Sequence, residues 1–256
     1  MGWIPFIPRA VSISDDTATY LKLRYRFWKS RDVQGDYKAG EFVQDARGRW
    51  YVAFRSEVDD DLATGNGSVG IDLGLKELAT TSEGDAIPAL QHYRQYEQQL
   101  ATAQRAGNKK RVRAIHAKIA NARRHHLHEQ STRIARENQL IAVGNVSASK
   151  LAKTRMAKSV LDAGWASFRH MLRYKSARRQ AVYVDVDERW SSQVCSTCGT
   201  MPASRPRGIA DLGIREWECS DCGTLHNRDV NAARNILATA LEYQRRVGET
   251  AALRGG

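Results

Sequence analysis

The chain has 256 residues, and its 40 Lys and Arg residues outnumber 28 Asp and Glu residues, for a net charge of +12. Hydrophobic residues make up 42% of it, enough for the core of one large domain or two smaller ones. No apolar run approaches the roughly 18 residues that span a bilayer, and the opening MGWIPFIPRA lacks signal-peptide character. We therefore expect a cytoplasmic protein with no membrane contact, and the basic excess favours a polyanionic partner.

The first 60 residues are expected to form β-structure. Alternating apolar and polar side chains predict a strand over Thr19–Trp28. A hairpin is predicted over Phe42–Glu57, turning at residues 45–48. The acidic, glycine-rich residues 59–67 are typical of a linker.

Strands and helices alternate from residue 68 onward. The predicted elements are two strands over 68–80, two polar helices over 87–138 broken near Gly107, a strand over 140–143, a helix over 157–179, a strand over 181–186 and a last helix over 229–247. This alternation predicts an α/β fold with a mixed sheet that has parallel members.

All four cysteines of the chain lie in two CxxC pairs, separated by 20 residues and each followed by glycine. The pairs are Cys195 with Cys198 and Cys219 with Cys222. Two such pairs can direct four thiolates at one point, which makes a closed, tetrahedral, structural zinc site. A redox-active CxxC or four unrelated buried cysteines are the alternatives.

Two aspartates occupy unusual positions. Asp72 interrupts an otherwise apolar strand, and Asp229 lies in the first turn of the last predicted helix. A buried carboxylate in a strand is costly unless it is paired or bound to metal. Taken singly, however, Asp72 could cap a turn and Asp229 could interact with a helix dipole.

Four segments together resemble a known family: Gly-Ile-Asp-Leu-Gly at 70–74, the residues 158–165, the two CxxC pairs, and Asn-Arg-Asp-Val-Asn-Ala-Ala-Arg-Asn at 227–235. They are similar to the RuvC-like domain of TnpB/OrfB proteins and type V CRISPR effectors, RNA-guided DNA endonucleases encoded by bacterial and archaeal transposons or CRISPR loci. The resemblance implies guide RNA and target DNA as partners. It also implies an RNase H-like (RuvC-like) fold with a long helical insertion and an inserted zinc ribbon, preceded by a partial β-barrel (wedge) segment.

The resemblance sets the expected domain organisation. A partial wedge-like domain would span residues 1–60, the first part of the RuvC-like domain 61–191, a nucleic-acid-binding zinc ribbon 192–226, and the last helix and tail 227–256. Family members usually begin with a helical recognition region, which this sequence lacks. The chain is therefore expected to be a fragment, a decayed copy or a separately translated product.

In that family three carboxylates hold two Mg²⁺ ions for phosphodiester cleavage. Asp72 and Asp229 match two of them, but Gly144 and Asn145 stand where a glutamate is expected. Glu188 follows the neighbouring strand, and some family members supply the carboxylate from this later segment. Since parallel neighbours lie about 4.8 Å apart, Glu188 could reach the same point. Asp185 and Asp187 lie nearby, and all three acids could instead solvate a strand end.

Basic residues are dense between residues 104 and 136, where ten Lys and Arg accompany one acid. The candidate nucleic-acid contacts there and in a second basic cluster are Lys109, Lys110, Arg111, Arg113, Arg123, Arg124, Lys150, Lys153 and Arg155. The near-absence of acids favours phosphate contacts over a merely solvated helix face.

The sequence leaves two rivals to a guided nuclease. A nuclease-inactive relative would only bind RNA or DNA, and Gly144 favours it. A transposase that joins strands itself would need a nucleophile motif that the sequence does not contain. The oligomeric state is undetermined.

Overall fold

The computed structural model describes residues 2–30, 32–33, 35–57, 63–145, 163–207, 211 and 213–254. Contacts group the chain into two units, residues 1–60 with 96–118 and residues 61–95 with 119–256. None of the helices in the described ranges is long and apolar enough to cross a membrane. Lys150, Lys153 and Arg155, the start of the helix predicted over 157–179, and residues 59–62 of the predicted linker lie outside these ranges.

The first unit contains two three-stranded antiparallel sheets, in the orders β1-β5-β6 and β2-β3-β4. Their strands are β1 (Trp3–Phe6), β2 (Val11–Ser14), β3 (Thr17–Tyr20), β4 (Leu23–Arg26), β5 (Tyr37–Gln44) and β6 (Trp50–Ser56). Phe6, Val11 and Ala18 are buried between them. The β-structure and the 42–57 hairpin are as predicted, whereas the partial barrel stays a prediction.

The single strand predicted over Thr19–Trp28 is wrong. The chain reverses at Leu21 and Lys22, whose φ angles are 49° and 65°, so that β3 and β4 form a hairpin instead. A positive φ at both central residues is the geometry of a tight hairpin turn, which normally selects Gly, Asn or Asp. Neither Leu nor Lys carries that signal, and the alternation of side chains continues unbroken across the turn.

The second unit is built on a five-stranded mixed sheet with the order β11-β10-β7-β8-β9. Its strands are β7 (Gly67–Leu73), β8 (Glu77–Thr81), β9 (Ala86–Pro88), β10 (Asn138–Gly144) and β11 (Val182–Val186). Central β10 runs parallel to both β7 and β11, while β8 is antiparallel to β7. The mixed sheet with parallel members is therefore confirmed, and β9 is an additional strand that the sequence did not predict.

Helices cover the sheet on both faces. The α-helices of the described ranges are α1 (His92–Arg105), α2 (Lys109–Glu137), α3 (Trp165–Ala177) and α4 (Arg228–Arg254). On one face α3 buries Phe168 and Leu172 against Ile71 and Ile141. On the other, α4 buries Ile236 against Ala142 and Val186. The sheet is thus the middle layer of the unit.

Gly70 allows α4 to approach the sheet closely. A Cβ at this position would lie 2.0 Å from the backbone oxygen of Ala233. No side chain fits that distance, so glycine is required for the contact between helix and strand. The contact brings the start of α4 beside the carboxyl end of β7, where Asp72 lies.

Candidate functional site

The four cysteines form one compact cluster whose sulfur atoms all lie within 4.8 Å of one another. Sγ of Cys195 is 3.7 Å from that of Cys222, and Sγ of Cys198 is 3.8 Å from that of Cys219. Sulfurs bound at about 2.3 Å to a tetrahedral zinc lie about 3.8 Å apart. The cysteines could therefore hold a metal such as zinc, and their spacing fits that ion.

Two equivalent backbone turns present these sulfurs. In the first, the Gly199 amide donates to the Cys195 carbonyl at 2.8 Å and the Cys195 amide donates to the Thr200 carbonyl at 2.9 Å. The second repeats both bonds at the same distances through Gly223, Cys219 and Thr224. Gly199 and Gly223 have φ angles of 76° and 70°, which explains the glycine after each pair.

Neighbouring groups shift the pKa values of the cysteine thiols. Hydrogen bonds from the side chain and backbone of Thr200 lower the pKa of Cys198 to about 6, which favours the thiolate form that binds metal. Burial raises the pKa of Cys195 to about 11. Nε2 of the buried His226 lies 3.0 Å from Sγ of Cys195, so the imidazole can donate to this sulfur and offset its burial.

Asp72 projects from the carboxyl end of β7 into a region of negative charge. Burial, followed by the charges of Glu188 and Asp229, raises the pKa of Asp72 to about 8, although Arg228 and Arg215 oppose the shift. The pKa of Asp72 therefore responds to the charges of both other predicted carboxylates. Without a cation, the folded chain favours the protonated form of Asp72 near neutral pH.

The Glu188 side chain occupies the space beside Gly144. A Cβ on Gly144 would lie 2.8 Å from Oε2 and 3.4 Å from Cβ of Glu188. Gly144 itself pairs with Val186, two residues before Glu188, so the chain turns after β11 and directs the carboxylate back over β10. A glutamate at position 144 and one at position 188 would thus compete for the same place.

Oε2 of Glu188 is buried and has no hydrogen-bond partner among the described residues. Burial and the nearby charge of Asp187 raise the pKa of Glu188, while Arg169 lowers it. A buried carboxylate oxygen without a partner is costly. Divalent cations such as Mg²⁺ prefer carboxylate oxygen ligands, so Asp72 and Glu188 could hold such a cation.

The two alternative acids are engaged elsewhere. Asp185 accepts hydrogen bonds from Arg169 and Arg173 of α3. Asp187 is 66% exposed, and its nearest cation is Arg189 at 3.9 Å. Asp185 thus lies on the α3 face of the sheet, opposite the α4 face on which Val186 packs, as strand alternation predicts.

Asp229 lies in the first turn of α4, where the Asn227 side chain caps the helix by accepting from the amides of Asp229 and Val230. Its two carboxylate oxygens accept from Nη1 of Arg215 at 3.0 and 2.8 Å. Within the described ranges the cysteine cluster is the one group of three or more potential metal ligands inside 4.8 Å. The three carboxylates therefore share a region without closing into a ligand set.

Sequence reasoning did not assign roles to Arg215, Asn231 and Asn235. Asn231 and Asn235 lie in the matched segment 227–235, and their spacing of four residues places them on one face of α4. Arg215 gives no comparable signal, because its contact with Asp229 depends on how the cysteine-bearing segment folds back on the helix.

The basic residues predicted to contact nucleic acid lie on α2 where the structure describes them. Lys109, Lys110, Arg111, Arg113 and Arg124 are exposed and Arg123 is half-buried. The side chain of Arg123 runs beside Gly164, with its Cδ 3.3 Å from a Cβ built there. The exposed members are thus available to a polyanion.

Comparison with known proteins gives two family matches. Residues 51–155 match the family described as "Probable transposase" (OrfB of the IS605 type), and residues 165–236 match the family described as "Cas12f1-like, TNB domain". These ranges contain the β7 aspartate, the basic helix, Glu188, all four cysteines and Asp229.

Individual relatives agree. A Streptomyces pristinaespiralis protein named "Putative RNA-guided DNA endonuclease" is 41% identical over 77% of this chain and 52% of its own length. The Escherichia coli protein "Putative RNA-guided DNA endonuclease InsQ" is 30% identical over 84% of this chain and 59% of its own length. The chain thus spans between half and three fifths of these relatives.

A solved structure shares the fold. The Cas12f1 chain in a cryo-EM structure of a Cas12f1–sgRNA–target DNA complex superposes with a TM-score of 0.51, at 17% identity, over 77% of this chain and 55% of that one. At this identity the likeness concerns the α/β architecture alone. The two family matches and the named relatives, rather than this likeness, make the chain similar to TnpB/OrfB proteins over residues 51–155 and 165–236.

Proposed function

We propose that the chain is the catalytic part of an RNA-guided, Mg²⁺-dependent DNA endonuclease whose site is completed by Glu188 instead of a residue at 144 or 145. One observation carries the proposal: the Glu188 carboxylate lies beside Gly144 with a buried oxygen that has no hydrogen-bond partner among the described residues, and its charge acts on Asp72. Asp229, at the start of α4, supplies the third negative charge. Bound Mg²⁺ would activate water and stabilise the leaving oxygen of the phosphodiester.

The protein residues prepare the site for the cation. Packing of α4 on Gly70 brings the part of α4 that follows Asp229 against β7, and the turn after β11 directs Glu188 over β10. Burial and the repulsion from Glu188 and Asp229 raise the pKa of Asp72, and a bound cation would offset both effects. Arg215, which forms an ion pair with Asp229, would have to release it.

The proposed partners are a guide RNA and its DNA target, which the names of the relatives and of the structural neighbour suggest. The exposed bases of α2 suit phosphate contacts. Reversing Lys109, Lys110, Arg111 and Arg113 to glutamate should weaken RNA binding and flatten its salt dependence, because fewer counterions are displaced. An unchanged salt slope in a filter-binding titration would assign these charges to solubility.

Metal binding by the chain itself tests the site. Mn²⁺ is a suitable probe, since its paramagnetism reports binding directly and it accepts the oxygen ligands of Mg²⁺. The parent should bind Mn²⁺, and Asp72→Asn and Glu188→Gln should each weaken binding at least about tenfold. Glu242→Gln is the matched control, being an exposed acid on the same helix as Asp229. Equal binding by all four proteins would refute the site.

A nuclease-inactive binding module is the second candidate. The ion pair between Arg215 and Asp229 and the open spacing of the carboxylates favour it. Absence of Mn²⁺ binding in the parent, together with salt-sensitive RNA binding, would make this module the better description.

A further inference from the structure

Two asparagines of α4, one helical turn apart, contact the same short stretch of chain. This stretch, residues 191–196, joins Glu188 to the first cysteine pair. Asn231 is 1% exposed, and all its polar atoms are used. Burying an amide this deeply requires that its hydrogen bonds be satisfied.

The hydrogen bonds form a closed set. Nδ2 of Asn231 donates to the Ser191 carbonyl at 3.2 Å and to the Val194 carbonyl at 2.7 Å. Nδ2 of Asn235 donates to the same two carbonyls at 2.7 and 2.8 Å. Two amide groups offer four N–H donors, and two carbonyl oxygens offer four lone pairs. Donors and acceptors therefore match completely in what we term the asparagine clamp, Asn231 and Asn235.

The clamped stretch is tied at both ends. On one side, the Ser191 amide donates to the Glu188 carbonyl at 3.0 Å, and the Trp190 carbonyl accepts from Gln193 and Val194. Trp190 has a φ of 70°, a strained conformation for a bulky residue that the surrounding bonds must hold. On the other side, the Ser196 amide donates to Oδ1 of Asn231 at 2.9 Å, directly after Cys195.

We propose that Asn231 and Asn235 are positioning residues that couple the cysteine metal centre to the carboxylate site. The helix that carries the clamp also carries Asp229, two residues before Asn231, and the clamped stretch begins three residues after Glu188. An ordered metal centre fixes the stretch, and the clamp transmits that order to the two carboxylates. The inference deepens the proposed function and rests on it.

Non-additivity of Mn²⁺ affinities tests the coupling. Cys219→Ser removes the ribbon metal, and the double variant Asn231→Ala with Asn235→Ala removes the clamp. Each should weaken Mn²⁺ binding about tenfold, as loss of outer-shell groups does elsewhere. If both act through one connection, the combined variant should be no weaker than either alone.

Asn138→Ala is the matched control. Asn138 is also a buried asparagine, 8% exposed, whose amide donates to a backbone carbonyl at 3.0 Å, but it begins β10 at the end opposite Gly144. This substitution should lower stability and leave Mn²⁺ binding at the parent value. An affinity in the clamp variant equal to that of the parent, or a combined loss near a hundredfold, would overturn the coupling.

Amide hydrogen exchange separates failure of the coupling from failure of the proposed function. If Asp72→Asn binds Mn²⁺ as tightly as the parent, the cation does not bind at the carboxylates. The exchange rates then still test whether the asparagine clamp connects the two regions. Loss of the ribbon metal should then speed exchange at residues 188–191 and 229–235 in the parent background. In the variant with Asn231→Ala and Asn235→Ala, exchange at these residues should already be fast, and loss of the ribbon metal should not speed it further. Acceleration confined to residues 195–226 in the parent background would refute the connection.

Discussion

The cysteine centre and the carboxylate site follow different rules of construction. The four thiols come from two local turns of identical design, and their sulfurs already lie at zinc-like spacing. The carboxylates come from β7, the turn after β11, and α4, and they share a region without closing into a set. A site made by local turns is preformed, whereas a site made by distant elements depends on how those elements pack.

The largest expected effect concerns the preformed site. Cys219→Ser should eliminate binding of about one zinc per chain, a loss on the order of 10 kcal/mol in metal-binding free energy. Residues 192–226 should become susceptible to proteolysis, because the described residues of this segment bury few apolar side chains besides Trp217 and the cysteines themselves. Elemental analysis gives the zinc content. Full zinc retention would contradict a four-thiolate site, because it would show that the fourth thiolate is dispensable.

Glu188→Gln should have the next largest effect, on cleavage by the guide-loaded protein. The change keeps the shape of the side chain but removes the charge, so we expect a loss of at least about a thousandfold in cleavage rate. Binding of the DNA target should remain near the parent value. A gel assay with equimolar guide and Mg²⁺ measures the cleavage rate, and cutting at the parent rate would exclude Glu188 as a ligand.

The pH dependence of Mn²⁺ binding should distinguish the two sites further. Because the pKa of Asp72 is raised to about 8, metal must displace a proton below that pH. Affinity should therefore fall up to about tenfold per unit as pH decreases from 8, whereas Asp72→Asn should flatten the profile. The free energy of unfolding of the metal-free chain should change in the opposite direction. Because the pKa of Asp72 is raised in the folded state, the folded chain becomes less stable as pH rises toward 8. A flat profile in the parent would show that Asp72 is ionised well below pH 8.

Gly144→Ala should produce the smallest effect and the most specific one. The new Cβ would displace the Glu188 carboxylate, 2.8 Å away, and press on Cδ1 of Ile236 at 3.1 Å. Mn²⁺ affinity should fall about tenfold, while the free energy of unfolding changes by less than about 1 kcal/mol because the Glu188 side chain can move. Gly144→Glu combined with Glu188→Ala should recover part of the affinity. Failure to recover would show that the two positions are not equivalent.

The spacing of residues along the chain made the cysteine cluster and the mixed sheet predictable. The CxxC pairs and their glycines specify two turns, and the alternation of strands and helices specified a mixed sheet. The hairpin at Leu21 and Lys22 could not be predicted, since neither residue favours the positive φ it adopts. Tertiary contacts hold that turn against local preference.

The sequence by itself determined which acids were available and that position 144 could supply none. It also determined the cysteine cluster, because ligands that are close in sequence need only a turn to meet. Only the tertiary structure decided that Glu188 lies over Gly144, that Arg215 engages Asp229, and that Asn231 and Asn235 bind the stretch between the two sites. Each of these contacts joins residues from different elements, and their distances are set by sheet register and helix packing, which no spacing along the chain encodes.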